Sequence, residues 1–240
     1  MVGLPLTGER TFDNVGVLTP LTVLPRRDDQ ARAHLDDVAR GARPLVLARD
    51  RSVALAGALA DLVPDGAVVR GSVLRVVGDA GAGATTVAFE LAAAFTALGE
   101  WAAAVDLDAT LGPLAAAEAG VALERFAVVR RVPPARWATV VAALLDGVSL
   151  VLAEVPRGVR LGDARRLEAR ARERESVLVV AEPRGVAWPA GAAYVLHAAG
   201  SAWDGLECGA GLLAGRRLQV QVEGRGAAAR RRAGELARAG

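Results

Sequence analysis

Apolar and polar positions alternate along this chain in blocks that predict a run of strands and helices. From Asp28 to Ala42, Ala31, Leu35, Val38 and Ala39 fall on one helical face, with Asp28 or Asp29 as cap and Pro44 as stop. Leu55, Leu59 and Leu62 repeat at helical spacing, which predicts a second helix over Val53–Leu62 capped by Ser52, before the turn Pro64-Asp65-Gly66. Short continuous apolar runs follow: Ser72–Val77, Ala102–Val105, Phe126–Val129, Ser149–Leu152 and Val177–Val180. Between them lie helical patterns at Thr85–Leu98, Gly112–Ala119, Pro134–Leu145 and from a capping Asp163 to about Glu175. Strands at Ala193–Ala198, Gly211–Ala214 and Arg217–Val222 follow without helices. Buried strands alternating with helices predict an α/β fold: a mainly parallel sheet flanked by helices, with antiparallel C-terminal strands.

Residues 1–27 lack sustained periodicity and read as a loosely ordered N-terminal arm, with a short strand near Leu21–Leu24. Residues 28–225 are the α/β domain and 226–240 a basic C-terminal tail. Composition sharpens the picture at three points. Just over half of the 240 residues are apolar but few are aromatic, so the core is built from Ala, Val and Leu. All the basic charge is arginine, and the formal net charge is only +2, which does not mark the whole chain as a polyanion binder. From Arg216 onward, however, seven arginines face Glu223 and Glu235 alone. A single cysteine, Cys208, excludes an internal disulfide framework and a cysteine-based zinc site, and two histidines do not make a histidine-rich one. No signal-peptide pattern opens the chain and no apolar run reaches membrane-spanning length, so a cytoplasmic protein without a membrane partner is expected.

Candidate chemistry centres on Gly78-Asp79-Ala80-Gly81-Ala82-Gly83-Ala84-Thr85-Thr86. It lies between a predicted strand and a predicted helix, as in the phosphate-binding loop G-x-x-x-x-G-K-[ST], whose backbone N–H groups cradle phosphates. Gly78, Gly81, Gly83, Thr85 and Thr86 are the candidate nucleotide-binding residues; the lysine position holds Ala84. Losing that charge-assisted contact removes transition-state stabilisation of several kcal/mol. Arg75 precedes the loop within the strand and is badly placed to replace it. In open α/β sheets ligands bind beyond the carboxyl ends of the strands. There Asp106 and Asp108 follow one strand and Glu154 ends another; Glu154 stands where a magnesium carboxylate belongs and Asp108 where one would orient a water. Both read as vestigial: ATP binding is weak if it occurs, no metal is assigned, and efficient hydrolysis is not expected. The arginines of the helix 164–175 balance its acids, with Glu168 and Arg172 at i,i+4 spacing, and read as a solvated face. Arg230, Arg231 and Arg232 are the candidate contacts to nucleic acid or an acidic partner. Trp188 and Trp203 read as packing residues.

The order of these segments resembles the core of the RecA recombinase family over about Val69–Val222. Val105-Asp106-Leu107-Asp108-Ala109 is similar to the strand that carries that family's catalytic glutamate, Gly120–Val129 to its G-V-x-x-x-x-L-x-V segment, and Leu150–Glu154 to its Walker B strand. More closely, Trp137–Gly147, Asp163–Leu167, Trp203–Leu206 and Val222–Gly226 resemble the RecA-like accessory proteins of the actinobacterial mutasome (ImuA type). That resemblance implies a non-catalytic adaptor in DNA-damage-induced translesion synthesis and mutagenesis. It also implies an inactive polymerase-like mutasome protein and an error-prone polymerase as partners. Segments 156–162 and 182–191 are short where RecA carries its DNA-binding loops, which argues against strand exchange and filaments. A weak ATPase using Thr85, Asp108 and Glu154, a DNA-binding module acting through arginines, and a RecA-like cell-division inhibitor are the alternatives.

Overall fold

A computed structural model describes residues 51–205, 211–224 and 231–239, all within the second of two units into which the chain divides, Leu47–Gly240. The predicted arm, its strand at Leu21–Leu24, the helix Asp28–Ala42, Cys208 and Arg230 lie outside the described residues.

The described chain opens with a small antiparallel pair, β1 (Ser52–Ala54) and β2 (Ala67–Val69), connected through α1 (Gly57–Leu62) and a 3-10 turn at Pro64–Gly66. The main sheet contains β3 (Val73–Gly78), β4 (Ala102–Asp106), β5 (Phe126–Arg130), β6 (Leu150–Glu154), β7 (Val177–Glu182), β8 (Tyr194–Asp204), β9 (Gly215–Gly224) and β10 (Arg232–Ala239). Its order is β10-β9-β8-β3-β7-β6-β4-β5. From β8 to β5 all neighbours are parallel, and β9 and β10 add antiparallel. The connecting helices are α2 (Ala84–Thr96), α3 (Pro113–Glu118), α4 (Pro134–Gly147) and α5 (Leu161–Arg174).

Two apolar layers sandwich the sheet. On one face Val87, Phe89, Leu91 and Phe95 of α2 pack with Leu59 and Leu62 of α1, Ala116 of α3 and inward residues of most strands. On the other, Trp137, Val141 and Leu145 of α4, at spacings of four, meet Ala164, Leu167 and Ala171 of α5. Trp188 closes that layer edge-on against Trp137, ring centres 6.3 Å apart. Strands covered on both faces are continuous apolar runs, as β4, β6 and β7 are up to the carboxylate that ends each. β9 alternates instead, burying Leu218, Val220 and Val222 and turning Arg217, Gln219 and Gln221 outward, because only one of its faces is covered.

Four expectations need correction. The Val53–Leu62 helix is a strand, a link and a short helix: Val53 pairs with Val68 in β1–β2, Ser52 is a strand residue rather than a cap, and helix begins only at Gly57. Leu55 keeps its core role from the link. Asp163 is in the first turn of α5, which starts at Leu161, and there it complements the helix dipole. Gly211–Ala214 is not a strand but an exposed approach to β9. The strand near Ala193–Ala198 belongs to the parallel part of the sheet: β8 runs parallel to β3, and antiparallel pairing begins only with β9. In addition, the stretch read as a basic tail contains β10, whose Gly234 lies against Leu62 of α1 and whose Leu236 is buried. Among the described residues no helix is long and apolar enough to cross a membrane.

Candidate functional site

The strand order changes direction at β3: the chain leaves it toward β4 on one side and returns from β7 across it to β8 on the other. A crevice at the carboxyl ends of the strands is expected at such a point. There the structure has a cleft of about 400 Å³. It is lined by Gly78, Gly81, Gly83, Thr85 and Thr86, and also by Asp108 and Glu154. The fold therefore brings together all of the residues the sequence singled out for nucleotide chemistry.

The glycines are needed for different reasons. Gly78 ends β3 beside β8, and a Cβ there would lie 3.0 Å from that of Ala198. Gly83 has φ +102 and opens α2, and a Cβ on it would fall 2.4 Å from Leu218 Cδ2. Between them Ala82 N–H donates to the Asp79 carbonyl at 2.9 Å, closing the turn. Val87 N–H already returns to the Gly83 carbonyl at 3.1 Å. Ala84 stands where an ammonium would rise, so the loop's own helix contributes a methyl to the cleft.

The carboxylates at the strand ends are tied to the scaffold. Asp106 is buried, accepting N–H bonds from Thr110 at 2.9 Å and Leu111 at 3.1 Å and pairing with Arg130 at 3.0 Å. Glu154 accepts Leu107 N–H at 3.0 Å. Burial lifts its carboxyl above the ordinary glutamic range, Asp108 and Asp106 push the same way, and backbone N–H groups only partly oppose this. Asp108 is exposed at the rim. Arg75 is held by Glu182 through a two-pronged pair, Nε to Oε1 and Nη2 to Oε2 at 2.8 Å, and does not line the cleft. That bond keeps its guanidinium firmly charged.

Sequence reasoning missed Arg216, which lines the cleft from β9. Its Nη2 donates to the Gly81 carbonyl at 2.7 Å and to Ser201 Oγ at 3.2 Å, and its guanidinium lies 4.8 Å from the Trp203 ring centre. Ser201 Oγ also donates to the Gly81 carbonyl, at 3.1 Å. Only the register of β8 with β3 and β9, set by the folded sheet, brings these residues to the loop.

The candidate basic contacts sit elsewhere. Arg231 bonds Gln221 and pairs with Glu223 at 3.2 Å, while Arg232 reaches the Asp61 and Val63 carbonyls at the C-terminal end of α1, each at 3.4 Å. In α5, Arg170 and Arg174 pair with Asp146 of α4. Among the described residues no cluster of three or more His, Cys, Asp or Glu is arranged to hold a metal ion.

A family model described as the MT3502 N-terminal domain matches residues 61–190, more than half of the chain. The match takes in the glycine loop, α2, Asp108 and Glu154 and stops short of β8. No curated protein matches the chain.

Proposed function

The chain belongs to the MT3502 N-terminal domain family; from the resemblances of its own segments we propose that it is a non-catalytic RecA-like adaptor of DNA-damage-induced translesion synthesis and mutagenesis. In this reading the phosphate-loop scaffold holds ATP weakly without turning it over. Its surface recruits an inactive polymerase-like protein and an error-prone polymerase.

The observation that carries the non-catalytic reading is a cleft lined by the glycine loop whose neighbouring chemical groups are absent or already engaged. Position 84 is a methyl, Glu154 is half-buried and accepts Leu107 N–H, and Asp106 is enclosed by Arg130 and two backbone donors. Carboxylates already engaged by the scaffold are poorly placed to hold magnesium, and removing a preorganised charge contact typically lowers turnover about 100- to 1000-fold. The placement in mutagenesis rests on the resemblance of Trp137–Gly147, Asp163–Leu167 and Trp203–Leu206 to the RecA-like accessory proteins.

Radiolabelled ATP hydrolysis tests the first part: turnover at buffer background is expected for the wild type and for Glu154→Gln alike. Turnover that Glu154→Gln abolishes would overturn the adaptor and establish the weak ATPase, the reading favoured by Thr85, Asp108 and Glu154 sharing one cleft. Affinity capture with the two polymerase-type partners, and the frequency of damage-induced mutation in a deletion strain, test the second. Capture of neither partner, with mutagenesis unchanged, would reject the recruiting role.

A further inference from the structure

We propose that Arg216, delivered to the glycine loop from β9, is the cation this cleft presents to the phosphates of a nucleoside triphosphate in place of an ammonium at position 84. The inference rests on the nucleotide-holding part of the reading above and gives it a residue.

Three observations support it. The first is placement. β8 pairs with β3 as far as Ala198 opposite Gly78 and then continues to Asp204, with β9 alongside. At roughly 3.3 Å per residue, Ser201 and Trp203 stand about 10 and 17 Å further along β8, past the end of β3 and beside the loop. Trp203 is the register partner of Arg216, so the arginine arises from this overhang and turns back onto Gly81.

The second is unneutralised charge. Arg184, the other arginine lining the cleft, lies 3.7 Å from Asp79, and Arg75, Arg130 and Arg217 are matched by Glu182, Asp106 and Asp204. Arg216 meets a carbonyl, a hydroxyl and an aromatic face, and among the described residues it forms no ion pair. A partly buried guanidinium beside neutral groups retains its attraction for an anion, and the cleft it lines is the place for one.

The third is orientation. Nη2 uses its hydrogens on Gly81 and Ser201, and the guanidinium carbon lies over the Trp203 ring. The N–H groups of Nη1 have no partner among the described residues. Held in this way, with Nε buried, the guanidinium has its Nη1 hydrogens left to offer a phosphate oxygen, and the same contacts stiffen the loop from outside.

Equilibrium dialysis of the full chain against Mg-ATP, with adenosine as the phosphate-free control, tests the assignment. Arg216→Ala is expected to weaken ATP binding by about tenfold or more while leaving adenosine unchanged, and Ala84→Lys in the Arg216→Ala background is expected to recover it. Arg216→Gln keeps an amide donor for Gly81 without the charge and should lose ATP affinity to a similar degree, so the test survives if the alanine variant does not fold. Unchanged ATP binding by Arg216→Gln would overturn the assignment and leave the cradle intact. Tighter binding would also overturn it, marking the arginine as a latch that closes the loop. No ATP binding by the wild type would overturn both the assignment and the nucleotide-holding reading.

Discussion

Replacing one member of the Arg75–Glu182 pair should be among the most damaging single changes to this protein. Glu182 sits at the end of β7 with its side chain 2% exposed, and both its oxygens are taken by Arg75 of the neighbouring strand. Arg75→Leu removes the guanidinium and leaves a carboxylate enclosed without a counter-charge. Breaking a buried pair this way costs about 3–5 kcal/mol. Arg75 itself is about a quarter exposed, so water reaches one side of the gap, and the lower end, about 3 kcal/mol, is the appropriate value. Replacing both by leucine removes the stranded charge together with its partner and should recover most of the loss, because well-packed apolar isosteres often equal a buried pair. Urea unfolding monitored by tryptophan fluorescence and circular dichroism supplies the four corners of the cycle. With a urea slope of about 2 kcal/mol per molar, Arg75→Leu should lower the midpoint by about 1.5 M. A single variant within about 0.5 kcal/mol of wild type, or a double variant no better than Arg75→Leu, would refute the argument that enclosure of Glu182 sets the cost.

Gly83→Ala should cost about 1–3 kcal/mol in the same assay, because φ +102 is unfavourable for alanine and the new methyl meets Leu218; an unchanged midpoint would show that the loop relaxes freely. Leu236→Ala should cost about 2 kcal/mol, the low end for a buried leucine because an edge strand can settle inward, and a neutral outcome would mean that β10 contributes no core. Burial raises the Glu154 carboxyl, so above the ordinary glutamic value of 4.5 the folded chain binds more protons than the unfolded one. Stability then falls as pH rises through that raised value, and Glu154→Gln should remove the fall. Urea midpoints at about pH 5 and about pH 8 check this: a loss between them in the wild type that the variant retains in full would assign the pH dependence to other groups.

What could be read in advance followed chain locality. Gly78 and Gly83 punctuate a strand–turn–helix, and Pro113 and Pro134 mark helix starts, because each acts on its own neighbours. The pocket residues from Gly78 to Thr86, with Asp108 and Glu154, could be grouped because strands of a parallel sheet share one carboxyl end. The β1–β2 pair was hidden because Leu55, Leu59 and Leu62 repeat at helical spacing although only the last two are on a helix. β10 was hidden because Arg-Ala-Gly-Glu-Leu-Ala-Arg-Ala is rich in helix formers and buries Leu236 through pairing with β9, a long-range contact. Arg216 had no local signal at all: it looked like one of many arginines until the sheet order brought β9 to within one strand of β3.

The glycine loop has walls that the ribosome makes well after the loop itself. Ala198 bounds Gly78, Ser201 and Arg216 hold Gly81, and Leu218 sits on Gly83. Every strand from β3 to β7 has been synthesised before the first of these four residues. During translation, therefore, the parallel strands can begin to assemble while the loop still lacks its boundaries, and a nascent chain has a fully walled loop only after β9 has emerged and docked.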